Sequence, residues 1–414
     1  MTSNDLIEAV KRKIAFPISQ NTFSEEDILR FANEEMFISQ VPSVLQYHEE
    51  YFVYRVQTPL VTNISRYPIP DRAIGMRLRD LMWSDSSGNY FEMTRINADD
   101  KAFFQRNIGA NQAIHKFYIE NNDVVLTPSV VGSPTGSLNF FIFIRPNQLV
   151  KNDRARYIQS FSQDITVINN SAFVAGDKIT ITIGTQTTEP TPYNITISVG
   201  GTASATAASI ATAITAAGIS GVSASSNNEV VTCTFDDITT SFVALNTAAL
   251  TVSSQIGFTV DSDVSGLMTA GSKIDFLQTK PGHKTYAFDI KAQSASGTTI
   301  KVKRSDLLTD MATGFGFEPQ ISKILVGDYI CVAGESIIPQ LPPDLHNMLA
   351  EKTSARILAS LGDQAGLAMA NDKIKEMEYR QGSLLDDRTD GAPQKITARH
   401  SILRYSKTGA RGRR

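Results

Sequence analysis

The sequence predicts an α+β chain: a helical-bundle core, antiparallel β segments attached to it, and an inserted β-rich module containing a short helix. Three observations carry that prediction. Apolar residues recur at helical spacing near both ends of the chain. The stretch between them changes to strand-like runs bounded by Gly, Pro and Asn turns. One internal block, Ile179 to Ser272, contains no lysine or arginine at all and is dominated by Thr, Ser, Ala, Val and Ile.

The elements follow in order. Residues 1–56 read as helices of the core. Asn4 or Asp5 can cap a first helix through Ile14, with Leu6, Ile7, Val10 and Ile14 on one face. Ser24, with Asp27 three residues on, opens a second helix carrying Ile28, Leu29, Phe31, Ala32, Met36 and Phe37. A third follows Pro42, with Leu45, Tyr51, Phe52 and Val56. Residues 57–171 form the β-rich part of the core. Tyr67-Pro68-Ile69-Pro70 is extended because each proline disfavours helix before it. Met76 to Trp83 pairs with Tyr90 to Ile96, and Phe117 to Glu120 forms a hairpin with Val124 to Leu126 across Asn121-Asn122-Asp123. Leu138 to Ile144 is a further strand.

Residues 172–270 form the inserted module. Ile179 to Ile183 and Asn194 to Val199 alternate as half-buried strands. Ala203 to Ala217 is a short helix ended by Gly218, and Val230 to Phe235 and Phe242 to Val252 return to β. Three stretches, Ala175-Gly176-Asp177-Lys178-Ile179, Ala270-Gly271-Ser272-Lys273-Ile274 and Val326-Gly327-Asp328-Tyr329-Ile330, share a turn-then-strand form, and the first two bracket the insertion. Residues 271–338 are a return β segment. Residues 339–390 hold the C-terminal helices, from Asp344 to Leu361 and from Gln364 to Arg380, broken by Gly362-Asp363. Residues 391–414 are a basic arm.

Charge sets the functional classes. The 414 residues hold 39 basic and 42 acidic side chains, a net charge of −3, with 42% hydrophobic residues. That composition excludes a largely disordered chain and argues against a general nucleic-acid binder. The −3 is a cancellation. The arm carries seven bases and no acid, so the remainder holds 32 bases against 42 acids. The start, Met1 to Phe16, has no continuous apolar run, and Leu138 to Ile144 is far short of the roughly 20 residues of a membrane span. The expectation is a soluble chain made in a cytoplasm, with Cys233 and Cys331 reduced and no membrane partner.

Catalytic motifs are missing from the pattern. Gly314-Phe315-Gly316-Phe317 lacks the third glycine of a dinucleotide fingerprint, and Gly334-Glu335-Ser336 lacks the closing glycine of a nucleophile elbow. Asp261-Ser262-Asp263 lacks the glycine and glutamate of a calcium loop. His48, His115, His283, His346 and His400 are scattered without a nucleophile motif. The expectation is a non-enzyme with no cofactor, no metal site and no catalytic residue.

Several motifs together resemble those of tailed-bacteriophage head-to-tail connector (adaptor, neck-ring) proteins. They are Tyr67-Pro68-Ile69-Pro70, Ala73-Ile74-Gly75, Leu78-Arg79-Asp80, Phe117-Tyr118-Ile119-Glu120-Asn121, Leu126-Thr127-Pro128 and Arg145-Pro146-Asn147-Gln148-Leu149-Val150. Val326-Gly327-Asp328-Tyr329-Ile330, Gly334-Glu335, Pro339-Gln340-Leu341-Pro342, Leu345-His346 and Leu361-Gly362-Asp363 continue the series. The resemblance spans about 60–157 and 273–395. It implies a virion protein of the neck, assembled in the host cytoplasm, forming a homo-oligomeric ring, commonly of about twelve, closed by heterologous contacts. Its partners would be the portal protein and downstream tail or neck proteins. Genomic DNA would pass through the channel without sequence-specific binding. The module at 172–270, as an insertion, would project from the ring toward tail, capsid or decoration components, and the resemblance does not say which of them it meets.

The arm would dock on the portal or a neighbouring subunit through Arg399, Ile402, Leu403, Arg404, Tyr405, Lys407, Arg411, Arg413 and Arg414. Leu345, Met348, Leu349, Leu358, Leu367, Ile374 and Met377 would pack the ring. The alternative is another phage tail component, a tail-tube or fibre-attachment protein that uses the module to bind protein or receptor.

Overall fold

Two helices open the chain with one device. In α1 (Ser3–Lys13) the hydroxyl of Thr2 accepts the Asp5 N–H at 3.3 Å while the Asp5 carboxylate accepts the Thr2 N–H at 2.8 Å. The cap is therefore Thr2, not Asn4 or Asp5, because Thr-x-x-Asp satisfies two orphan donors at once. Ser24 and Asp27 repeat the box on α2 (Glu25–Glu35), as expected. The computed structural model describes residues 1–14, 23–47, 49–85, 89–100, 116–127, 136–182, 193–279, 285–308 and 324–385.

The other α-helices among the described residues are α3 (Val41–Tyr47), α4 (Ala203–Ala216), α5 (Arg304–Leu308), α6 (His346–Leu361) and α7 (Gln364–Leu385). The third helix stops short of its expected end. Val53–Pro59 is a strand, paired with Ser137–Ile144 in the register Val56 to Phe140, so Val56 leaves the helical set. Helices from both ends of the chain share one core, in which Leu6, Val10, Ile28, Leu349 and Ile357 are fully buried. Gly362 ends α6 in the left-handed conformation, at φ +77°.

That bundle is not the core of the molecule. The chain is mostly β, with a closed six-stranded barrel at its centre, which overturns the expectation of a helical-bundle core carrying β attachments. The barrel strands are β1 (Arg156–Val167), β2 (Gln255–Val260), β3 (Lys273–Leu277), β4 (Thr285–Ser296), β5 (Thr299–Lys303) and β6 (Tyr329–Val332). Around the ring the order is β1-β2-β5-β4-β3-β6 and back to β1, every pair antiparallel. The seam pairs Tyr329 with Tyr157 and Ile330 with Arg156, extended by Ile158 N–H to Asp328 O at 2.9 Å. Ile256, Phe258, Ile274, Phe276, Ile300 and Val302 are fully buried in one cluster. The interior is filled by side chains, as small barrels are.

The three turn-then-strand stretches share a structure. Gly176, Gly271 and Gly327 take φ +96°, +90° and +93°, where a side chain would be strained. The residue after each glycine closes the turn twice. The N–H groups of Asp177, Ser272 and Asp328 donate to Val174 O, Thr269 O and Leu325 O. Their side-chain oxygens accept the N–H of Val174, Thr269 and Leu325 at 2.9 to 3.0 Å. The second and third of these turns launch barrel strands, so the device marks strand entry rather than the edges of an insertion.

The chain leaves the barrel after Val167 and re-enters it at Gln255, so Gln255–Val260, counted with the module from sequence, belongs to the ring. Within the excursion, Lys178–Thr182 lies between Tyr193–Thr196 and Ser241–Ala244. Val230–Phe235 pairs with the far half of β1, and Val222–Asn227 pairs outside it. The outermost strand carries no Lys or Pro to guard its edge. Instead the Thr215 hydroxyl of α4 lies 3.3 and 3.4 Å from the O and N of Ala224. A second β unit precedes the barrel. The sheet ordered Val53–Pro59, Ser137–Ile144, Ala73–Ser84, Tyr90–Glu92 packs on the sheet of Arg66–Pro68, Asp123–Thr127 and Lys116–Glu120. Asn121 and Asn122, both at positive φ, make the predicted hairpin turn.

A file of five phenylalanines joins module to barrel: Phe242, Phe235, Phe161, Phe258 and Phe276, with successive ring centroids 5.7, 6.0, 5.5 and 4.9 Å apart. Phe161, at its centre on β1, is fully buried. Phe161→Ala should therefore cost about 3–5 kcal/mol, and urea unfolding should show module and barrel losing structure in one shared transition. Two separated transitions would mean that the file does not couple them.

Candidate functional site

Segment 147–154 is where the bundle, the first β unit and the barrel meet. Asn33 of α2 acts on it as a strand neighbour would: its Nδ2 donates to Leu149 O at 3.0 Å and its Oδ1 accepts the Leu149 N–H at 2.7 Å. On the other side Gln148-Leu149 runs parallel to Glu335-Ser336, with Gln148 N–H to Gly334 O at 2.7 Å and Val150 N–H to Ser336 O at 2.9 Å. The start of α1 is tied in as well, through Ser3 N–H to Ile337 O at 2.7 Å and Ser3 Oγ to Asn152 Oδ1 at 2.6 Å.

Behind that segment lies a buried polar joint. Asp275 of β3 has no exposed surface. Its Oδ2 accepts from Arg72 Nη2 at 2.8 Å, Asn147 Nδ2 at 2.7 Å and Gly334 N at 2.9 Å, and its Oδ1 accepts the Asp289 N–H at 2.9 Å. Asn147 Oδ1 also accepts from Arg72 Nη2 at 2.6 Å, and the Asn147 N–H donates to Gln340 Oε1 at 2.6 Å. Gln340 continues to the Thr285 hydroxyl, and Tyr54 OH donates to Thr285 O at 2.6 Å. Arg72 stands over the Phe288 ring at 5.9 Å. Asp289 of β4 sits at φ +56°, a conformation that Asn and Asp tolerate best after glycine. Burial pushes its carboxyl above the ordinary range, against the pull of Arg72, while Asp275 adds to the rise.

In front of the segment is an open groove of about 620 Å³ between α2, residues 148–154, Leu267 and Glu335. Its charges are mostly paired. Arg154 grips Glu335 with two contacts, Nε–Oε2 at 2.8 Å and Nη2–Oε1 at 2.6 Å, and Lys151 meets Glu26 at 3.2 Å. The lining holds no Ser, Cys or His. Such a surface can hold a polypeptide by ions and amides; it supplies no nucleophile with a base beside it.

The sequence-named residues fall in three places. The arm residues Arg399, Ile402, Leu403, Arg404, Tyr405, Lys407, Arg411, Arg413 and Arg414 lie outside the described residues. Leu345, Met348 and Leu349, offered from sequence for packing between subunits, are buried in the chain's own bundle. Leu358, Leu367 and Ile374 pack between α6 and α7, and Met377 packs against the bundle core. His346 is buried, with Nε2 3.1 Å from both Pro339 O and Leu341 O, which makes it a clasp on the entry to α6. His48, His115, His283 and His400 lie outside the described residues. Cys233 and Cys331 are buried and unpaired, and burial pushes the Cys233 thiol up to about 12.

Among the described residues no group of three or more His, Cys, Asp and Glu could hold a metal ion, and no helix is long and apolar enough to cross a membrane. The joint was missed from sequence because its members come from five separate stretches. Of its members, Asn147, Gly334, Glu335 and Gln340 stand in the sequence motifs, whereas Arg72, Asp275, Thr285 and Asp289 do not.

No family model matches the chain, and no curated protein matches it. Among solved structures, a chain titled "Mycobacterium phage Patience" is similar over 60% of this chain and 96% of its own, at 10% identity and a TM-score of 0.15. A superposition that poor carries no argument about fold or role.

The joint gives two predictions. Arg72→Ala leaves Asp275 buried without its cation and should cost about 3–5 kcal/mol, read by thermal or urea unfolding; a loss under about 1 kcal/mol would deny the joint that weight. Asp289 works in the other direction. A carboxyl whose pKa is raised by folding binds its proton more tightly in the folded state, so its contribution is present at low pH and is lost as pH rises through the raised value. Asp289→Asn should therefore raise stability at neutral pH and flatten the decline as pH rises above the ordinary carboxylate range. A variant less stable than the parent at pH 7 would contradict this.

Proposed function

We propose that this protein is a structural virion component whose copies form a ring, of about twelve by family resemblance, joining the portal vertex of a phage head to the tail. The basic arm 391–414 docks on the portal, and DNA passes without sequence-specific binding. One observation carries the reading. The segments that resemble connector proteins are far apart in sequence yet converge on one joint: Asn147 to Val150, Gly334-Glu335, Gln340-Leu341 and Leu345-His346 are bonded to one another. A resemblance made of scattered turns and apolar runs gains weight when those runs form one bonded unit. The filled barrel and the paired charges of the groove suit a part that works through protein contacts, assembled in the host cytoplasm and carried in the neck of the virion.

Negative-stain microscopy of the purified protein mixed with its cognate portal tests this. Rings stacked on the portal are the expected outcome. A persistent monomer that leaves the portal bare would sink the proposal. A chain ending at Asp390 should melt as the parent does and fail to dock; undiminished docking would remove the arm from the mechanism.

A further inference from the structure

One stretch of the body is strongly positive. Residues 273–304 hold seven bases and two acids, directly after the run Ile179–Ser272, which holds six acids and no base. The stretch builds β3, β4 and β5 of the barrel, and strand pairing lines up three of its lysines on the outer wall. Lys273 of β3 lies directly opposite Lys291 of β4. Ala292 faces Val302, so one position further along these two strands Lys291 stands beside Lys303 of β5. Ile274, Ala292 and Val302 are fully buried in the core, which turns the lysine next to each of them outward. All three lysines are exposed. Neighbouring strands lie about 4.8 Å apart, so the row is roughly 10 Å long at its roots.

The fold gains nothing from this row. Like charges directly opposite one another destabilise a sheet, and among the described residues none of the three ammonium groups has an ion-pair or hydrogen-bond partner. Their neighbours differ. Asp164 holds Lys301 at 2.6 Å, and Arg304 turns aside to donate to Thr240 O at 2.9 Å. The acids close by do not neutralise the row. Asp275 is buried in the joint with Arg72, and Asp306 accepts from the Ser305 hydroxyl at 3.3 Å. Asp289 lies near enough to Lys273 to feel its charge without pairing with it, and burial raises the Asp289 carboxyl.

The surroundings of the row select its partner. A protein partner needs an apolar centre of contact inside a polar rim, and none of the large apolar side chains exposed among the described residues belongs to 273–304. A single strand of nucleic acid needs aromatic platforms for its bases. The described wall offers none, because Phe276 is fully buried and Phe288 lies half-buried under Arg72. Flexible point charges on a wall without apolar anchors suit the phosphates of a duplex, whose protein contacts are polar, positively charged and wet. We infer that Lys273, Lys291 and Lys303 form a contact for the phosphate backbone of a nucleic-acid duplex, independent of base sequence. Three phosphate contacts bind weakly and with strong salt dependence, which agrees with a chain whose net charge is not that of a general nucleic-acid binder. The contact stands on the barrel wall alone. Where the connector reading holds, the duplex is the genome that passes the ring.

Fluorescence anisotropy of the full chain with a labelled DNA duplex of random sequence tests it. The slope of log affinity against log salt, taken from about 50 to 200 mM, should be shallower by about 2.7 in the triple variant Lys273→Gln, Lys291→Gln, Lys303→Gln, the value for three phosphates. The basic arm is present in parent and variant alike and cancels in that comparison. Equal slopes overturn the inference. The variant should melt no lower than the parent, because it loses a repulsion between opposed charges; a lower melt would give the lysines to the fold and overturn it too. Replacing the same three lysines by arginine keeps the charge and should keep the parent slope, and a slope as shallow as that of the glutamine variant counts against a phosphate contact. A polyglutamate peptide, or a single strand of the same length, that binds the parent more tightly than the duplex does would also reject the assignment. These readouts need neither portal nor ring, so a failed portal experiment leaves them intact and equal slopes leave the connector reading standing.

Discussion

One strand is asked to serve two sheets. The near half of β1 lies between β6 and β2 and closes the barrel, while its far half lies between Val230–Phe235 and β2, with Leu250–Val252 beyond. Both edges of a twelve-residue strand are hydrogen-bonded along its length, so its register is fixed from two sides. A slip of one residue would turn Phe161 and Ile165 out of the core and unmake the seam with Tyr329. Because the alternation is shared, the core passes without a break from the module through β1 into the barrel. The excursion from Val167 to Gln255 is an insertion in the path of the chain, but it is not a separate body in packing.

The buried joint fixes what hydrophobic contact leaves open. Barrel, first β unit and bundle have their own apolar clusters, and apolar surfaces slide over one another at small cost. Asp275 does not permit sliding. Its oxygens accept from Arg72, Asn147, Gly334 and Asp289, which lie on four different stretches, and any shift leaves a buried carboxylate short of donors. A buried ion pair adds little net stability relative to apolar packing, but breaking it is expensive. That asymmetry is suited to setting one arrangement among several. Asp289 shows the strain of the same place, since a left-handed backbone and a half-buried carboxyl are both unfavourable there.

Local features were legible in the sequence and distant ones were not. The Ser24–Asp27 box, the Asn121-Asn122 turn, the helix from Ala203 and the stop at Gly362 each depend on residues within a few positions, and each stands where the pattern put it. The barrel depends on Tyr157 meeting Tyr329, 172 residues away. Its strands are short, and several read as fragments: Lys273–Leu277 and Tyr329–Val332 are five and four residues long. Val222–Asn227 was invisible because an edge strand with one wet face and serine at every other position has little apolar alternation to display. Apolar periodicity also could not say whom a face meets. Leu345, Met348 and Leu349 form a true apolar stripe, and the stripe is used within the chain.

The polar joint places a constraint on turn and loop positions that apolar periodicity does not display. Asn147 bonds backbone and side chains from residues 72, 275, 335 and 340 at once, and Gly334 at φ +87° brings its N–H to Asp275 where a side chain would crowd Arg72. Substituting such residues loses several contacts together, whereas a leucine in the bundle can be replaced by another apolar residue of similar volume. Scattered Asn, Gly and Gln positions at a junction of units are therefore under tighter physical constraint than the helices beside them.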